Sequence, residues 1–249
     1  MKKLLIIILF SPFVLQAQET DRKIRFGMKV APLFSWIKQD FDQNDANISD
    51  AYEVEGGGLR LGFNWGPQVE IILNETFLLS TGVDINYSTG RVKGRASRSL
   101  SPTLSYNFDQ LYKMRFIELP LMIKGRTKEI GHMRYFMSFG LSAGFRYKAS
   151  TEFTEETNGS EITTPNTNSN TYINVFRGAL LVGGGVEYNI SGNTSLVASI
   201  MFNNGLTNIL KDQQKVNPVT GENYPQDDFN FVREKGINNH LMLNVGILF

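Results

Sequence analysis

The stretch RFIELPLMIKGR, Arg115 to Arg126, decides how the rest of the chain is read. Ile117, Leu119, Leu121 and Ile123 occupy one parity, and Glu118, Pro120, Met122 and Lys124 the other. That is the two-residue period of a β-strand. A helix is disfavoured, because Pro120 would remove a hydrogen bond and clash with the preceding turn. A water-soluble core strand is a poor fit too, since it rarely carries a glutamate, a lysine and a central proline together. The contents suit a strand with one face against lipid and the other against a narrow polar interior.

The same period recurs along the chain. Ile24, Phe26, Met28, Val30, Phe34 and Trp36 alternate with Arg25, Gly27, Lys29, Ala31 and Ser35. Further alternating runs cover residues 59–71, 77–87, 133–148, 176–190, 194–206 and 241–249. With the opening stretch this makes eight strands, each long enough for the roughly 9 to 11 residues of a tilted bilayer crossing. The connections alternate as well. Long polar segments, 38–56, 90–110, 150–174 and 208–236, take turns with short ones at 73–76, 127–131 and 191–193. Outer-membrane barrels have this asymmetry, with short turns inside and long loops outside. The expected fold is therefore all-β: an eight-stranded antiparallel up-and-down transmembrane barrel.

The totals agree. Of 249 residues, 23 are glycine and 12% aromatic, a composition of strands and close packing. Lysine and arginine number 25 against 24 acidic residues, so no charge excess points to nucleic acid. Cysteine is absent, which excludes disulfides and Cys-ligated metal sites. Met1-Lys2-Lys3 followed by the apolar run Leu4 to Leu15 and the small residue Ala17 has the layout of a secretory signal peptide. The expected division is residues 1–17 as signal peptide and 18–249 as the barrel. No later segment reaches 18 apolar residues, which says nothing against a barrel whose strands alternate.

Inward parity collects a lumen charge network: Arg25, Lys29, Arg60, Lys124, Arg134, Arg146, Lys148 and Arg177, with Glu70, Asp84, Glu118 and Glu187. Eight strands enclose a space that side chains fill, so these groups are expected to pair or be wetted. Arg25 and Glu70 fall near the short-turn end of neighbouring strands, and Lys124, Arg134 and Glu187 also fall low. Glu118 falls at mid-depth, with the basic groups of the fifth strand as its expected partners. Pro120 is expected to leave a bulge or a water in the ladder. The basic excess is the single hint of anion preference.

Ile117-Glu118-Leu119-Pro120-Leu121-Met122-Ile123-Lys124 resembles a segment of the PorT-like outer-membrane barrel family, akin in architecture to the small OmpX/OmpA-type barrels. Glu118, Pro120 and Lys124 carry the motif. The resemblance implies a cell-envelope protein in the outer membrane of a Gram-negative cell, with envelope or secretion proteins as partners. Phe249 resembles the terminal aromatic signal read by the barrel insertion machinery. Outer-membrane lipids would surround the wall, with aromatic belts of Trp36, Tyr87, Tyr147 and Phe176 at the outer rim and Phe26, Phe77, Tyr135, Tyr188 and Phe249 at the inner. The expected role is structural or interactive, with a polar lumen filled by side chains; the alternative is a narrow channel for ions or small solutes.

Nothing points to catalysis or a cofactor. His132 and His240 stand in no spacing that makes a nucleophile–base pair. Gly183-Gly184-Gly185 lacks the Lys-Ser/Thr of a phosphate loop and suits strand bending and close packing. In the outer segments, Asp212, Glu222, Asp227 and Asp228 read as a solvated acidic face, with a divalent-cation site as the alternative. Tyr172, Tyr224, Phe229 and Phe231 read as partner anchors or as loop packing. A folded barrel of this kind should migrate differently on SDS gels before and after boiling. Identical mobility would contradict the barrel reading.

Overall fold

The computed structural model describes residues 23–41, 52–97, 105–157, 160–168, 173–211 and 234–249. Their strands are β1 (Ile24–Phe41), β2 (Tyr52–Gly56), β3 (Arg60–Ile72), β4 (Phe77–Gly82), β5 (Asp84–Ser97) and β6 (Ser105–Arg126). After these come β7 (Met133–Thr157), β8 (Ser160–Asn168), β9 (Phe176–Ser191), β10 (Thr194–Gly205) and β11 (Glu234–Leu248). All pairings are antiparallel. The ring runs β1, β3, β4 with β5, β6, β7, β9, β10, β11 and closes where Met28 pairs with Ile247 and Phe34 with Leu241. Closure leaves no sheet edge within the ring, which is what lets strands cross a bilayer. The barrel has eight ring positions, and β2 and β8 lie outside it.

Most ring strands carry an exposed apolar face. On β6 these residues are Ile117, Leu119, Leu121 and Ile123; on β7 they include Met137, Phe139 and Leu141. The short turns have local causes. Asn74 Oδ1 accepts from the backbone N–H of Thr76 at 2.9 Å and of Phe77 at 2.7 Å, closing the β3–β4 turn. Gly131 and Gly192 take φ of 67° and 55°, a left-handed conformation that glycine adopts without steric penalty.

The long connections are less loop-like than expected. β5 continues to Ser97, β6 begins at Ser105 and β7 continues to Thr157, so residues 90–110 and 150–174 hold much strand. With β2 on the β5 side and β8 on the β7 side, they form a five-stranded sheet standing above the ring. No apolar face meets lipid at that height, so the outward parity is polar and the segment reads as loop. The acidic and aromatic residues 212–231 and Tyr172 lie outside the described residues, as does the expected signal peptide.

Two register details depart from the sequence reading. The β6–β7 ladder passes Pro120 without a shift, pairing it with Ser142. The bulge lies instead at Arg115/Phe116, where the extra residue is Tyr147 of β7. On the other side of β6, Leu121 pairs with Thr81 and Glu118 with Asp84, so Pro120 falls opposite Gly82, the last residue of β4, next to the interruption at Val83.

Close approach explains the glycines of β9. A Cβ on Gly185 would lie 2.1 Å from the Ala198 carbonyl oxygen and 2.5 Å from Ser199 Cβ. A Cβ on outward-facing Gly184 would come no nearer than 3.1 Å to any atom. Gly185→Val should therefore abolish the heat-modifiable folded form on gels, while Gly184→Ala retains it.

Candidate functional site

The inward side chains sort by depth. At the short-turn end, Arg25 on β1 stands opposite Glu70 on β3 and reaches Glu70 at 2.5 Å, while its other amino group reaches Glu187 on β9. Lys124 on β6 bridges the same two carboxylates at 2.8 Å and 3.4 Å. Its ammonium also lies 4.0 Å above the Phe136 ring centre. Arg126, next inward on β6, stands 4.0 Å from Glu187. Three cations thus hold two carboxylates across four strands, all buried but Arg126, which is partly exposed. Desolvated charges are tolerable only when paired and hydrogen-bonded in this way.

At mid-depth the pairing differs from the one read off the sequence. Glu118 meets no basic group of β7. Its cross-strand neighbour on β7 is Gly144, and Gly144 in turn faces Arg177 of β9. A Cβ at Gly144 would lie 3.1 Å from Glu118 Cγ and 3.5 Å from Arg177 Cβ. The missing side chain opens the path by which Arg177 reaches Glu118 at 2.9 Å. Arg177 also donates to Asn203 Oδ1 at 2.6 Å and to the Asn238 carbonyl at 2.8 Å. Asn203 donates back to Glu118 at 3.3 Å. Asp84, directly opposite Glu118 on β5, takes Lys29 at 2.9 Å. Two carboxylates side by side are thus matched by two cations from opposite directions. His240 is fully buried beside this group, with Nδ1 3.4 Å from Asn86 Nδ2.

Apolar layers separate and cap the polar ones, so the lumen is mixed rather than simply polar. Phe136, Val197 and Leu248 pack near the short-turn end, and Ala31, Leu33, Met122, Leu181, Met201 and Met242 in the middle. The outer mouth is filled by Ile37, Val92, Phe108, Tyr112, Met114 and Phe116, with Ile173, Ile209 and Leu210 folded over them. Ile173 and Leu210 pair as an isolated bridge, and Asn174 donates to the carbonyls of Asn208 and Leu210 at 2.9 Å and 3.2 Å. Between the layers lies a cavity of about 40 Å³ lined in part by Lys29, Glu70, Ser80, Lys124, Ser138 and Asn244. That is room for a few waters.

The remaining sequence candidates stand apart. Arg134 pairs with Glu129 of the turn at 2.6 Å, at the rim. Arg146 donates to the Asn174 carbonyl at 3.4 Å under the outer cap. Arg60, half-buried, begins β3 opposite Ser35 at the outer mouth. Lys148 is not in the lumen: the Tyr147 bulge turns it outward, and Ala149 takes the inward place. His132 lies in the β6–β7 turn with its ring 6.2 Å from that of Tyr188. The structure brings the two histidines to different ends of the barrel. Phe249 faces outward with its backbone N–H on the Phe26 carbonyl at 2.7 Å. Arg126, Asn203 and Asn86 share inward parity with their strands, so parity alone could have found them. Gly144 gave no such signal.

Residues 16–247 match the family model described as outer membrane protein beta-barrel domain. No curated protein matches the chain. Similar solved structures include Neisserial surface protein A, 13% identical over 92% of this chain and 98% of that one, with a TM-score of 0.42. OprG of Pseudomonas aeruginosa is 7% identical over 90% and 95%, with a TM-score of 0.43. A major outer membrane protein of Thermus thermophilus is 13% identical over 92% and 100%, with a TM-score of 0.44.

Removing one partner of a buried pair leaves the other unmatched. Arg177→Met should lower stability by about 3 to 5 kcal/mol, and the double change Glu118→Leu with Arg177→Met should recover most of it. Urea unfolding in phospholipid vesicles reads both. Unchanged midpoints in the single variant would show that the pair is not a structural lock.

Proposed function

The chain belongs to the outer membrane protein beta-barrel domain family, and from that premise we propose that it is a closed barrel serving the cell envelope as a structural and interaction protein. The observation that carries this reading is the filling of the lumen: two polar layers with paired charges, separated by apolar side chains and covered by the apolar outer cap. A conducting pore needs a continuous wet path, and the described interior offers a cavity of about 40 Å³ instead. The sheet of β2, β5, β6, β7 and β8 supports the interaction half of the proposal, since it raises ordered surface above the apolar belt. Association with secretion proteins rests on the PorT-like resemblance of Ile117 to Lys124. Family membership implies the outer-membrane location.

Reconstitution in planar bilayers tests the closed reading. The protein should give no steady single-channel steps. Reproducible steps would overturn it in favour of the narrow channel for ions or small solutes. Purification from native outer membranes tests the partner half: co-purifying envelope or secretion proteins would support it, and recovery of the barrel alone would count against it.

A further inference from the structure

We propose that Arg115, Lys148 and the two tyrosines beside them form a binding site on the outer wall of the barrel for the phosphate of a membrane lipid headgroup. The site rests on the bulge at Tyr147. Along β7, Phe145 faces out, Arg146 faces in and Tyr147 faces out. A regular strand would send Lys148 inward. The extra residue keeps Lys148 on the outside and returns Ala149 to the interior. Bulges re-aim side chains in this way. The result is that Lys148 becomes the direct cross-strand neighbour of Arg115.

Two cations placed side by side repel each other, and no carboxylate of the described barrel wall pairs with them. Among the described residues neither forms an ion pair. The nearest basic residue above, Lys113, takes the carboxylate of Glu152 at 3.0 Å. Arg115 lies 5.4 Å from the ring centre of Tyr87, its neighbour on β5, and the exposed Tyr147 is the next residue along β7 from Lys148. The cluster therefore presents two cationic heads and two phenol groups on one exposed face. Those are donors suited to a phosphate monoester.

Its height identifies a lipid source. Directly below Arg115 on the same face are Ile117 and Leu119, and below Tyr147 are Phe145 and Leu141, all exposed. Phe145 packs edge-on against Phe176, at 5.7 Å between ring centres. An occupant would place its phosphate on the cations and its acyl chains on this apolar surface. A free phosphate would use the first half alone. The site is at the long-connection end of the barrel, so the occupant belongs to the outer leaflet.

The test is native mass spectrometry of the purified barrel with diphosphorylated lipid A, with phosphatidylethanolamine and with inorganic phosphate. Diphosphorylated lipid A should be retained. Arg115→Gln with Lys148→Gln should weaken that retention by roughly tenfold to thirtyfold, given the attraction contributed by each cation at a membrane surface. Both variants lie on the solvent- and lipid-exposed wall, and the heat-modifiable gel shift checks that they fold. A variant that loses the shift is replaced by Lys148→Gln alone, with a weakening of several-fold expected. Equal retention by wild type and a folded variant would overturn the proposal. So would retention of phosphatidylethanolamine as strong as that of lipid A, or protection of the site by inorganic phosphate alone.

Discussion

Arg177 has no accessible surface, yet it carries a permanent charge. Burying a lone guanidinium would cost far more than a domain's net stability, so its environment must supply acceptors from several strands at once. Glu118 comes from β6, Asn203 from β10 and the Asn238 carbonyl from β11, while Arg177 itself sits on β9. Four ring strands are tied through one side chain. A slip of β6, β9 or β10 by one residue would send its side chain to the lipid face, because side-chain direction reverses at every position. The lower cluster acts likewise through Arg25, Glu70, Lys124 and Glu187, on β1, β3, β6 and β9. The charges thus add to the register already set by the apolar parity of each strand.

Much of this was legible in the sequence, because two solvents act on the strand faces. Lipid demands an unbroken apolar parity, and Ile117 to Ile123 displays it. The lumen tolerates charges, so Glu118 and Lys124 appear on the other parity. What parity cannot give is the partner. Glu118 finds Arg177 two strands away because Gly144 leaves the intervening strand without a side chain, and a lone glycine in a strand has many meanings. Nor does parity survive a bulge: simple alternation points Lys148 inward, and the extra residue at Tyr147 turns it outward. The strands above the membrane escaped notice for a related reason. There both faces can be polar, and the apolar cap beneath them draws Val92, Phe108 and Tyr112 from segments otherwise rich in serine, asparagine and charge.

The outer cap and the lower charge cluster divide the labour of closing the barrel. At the outer mouth, apolar side chains exclude water, and the segments carrying Ile173 and Leu210 are held by Asn174 and Asn208 through backbone groups. At the short-turn end the closure is made by the buried, paired charges of Arg25, Glu70, Lys124 and Glu187 beside the apolar Phe136, Val197 and Leu248.

Pro120, the oddest residue of the deciding stretch, is explained by its neighbours rather than by itself. A proline in a closed ring lacks one donor, and the ladder must tolerate that loss on one side. On the β7 side the register runs through Pro120 unshifted. On the opposite side lies the interruption at Val83, where β4 ends and β5 begins. The strand beyond, β3, also carries a proline there: Gln68 pairs with Gly82, and Val83 donates its N–H to the Pro67 carbonyl at 3.1 Å. The interrupted position is therefore flanked by prolines on both sides. Thr81 donates its hydroxyl to the Pro120 carbonyl at 2.8 Å, so a side chain serves that acceptor. Glycine is required at the same place for space, since a Cβ on Gly66 would fall 1.8 Å from the Val83 carbonyl oxygen and one on Gly82 2.4 Å from that of Pro67. Two prolines and two glycines on three adjacent strands thus form one local arrangement. The interruption in the ladder sits beside Asp84 and Glu118, where the mid-lumen ion pairs bind the same strands from within.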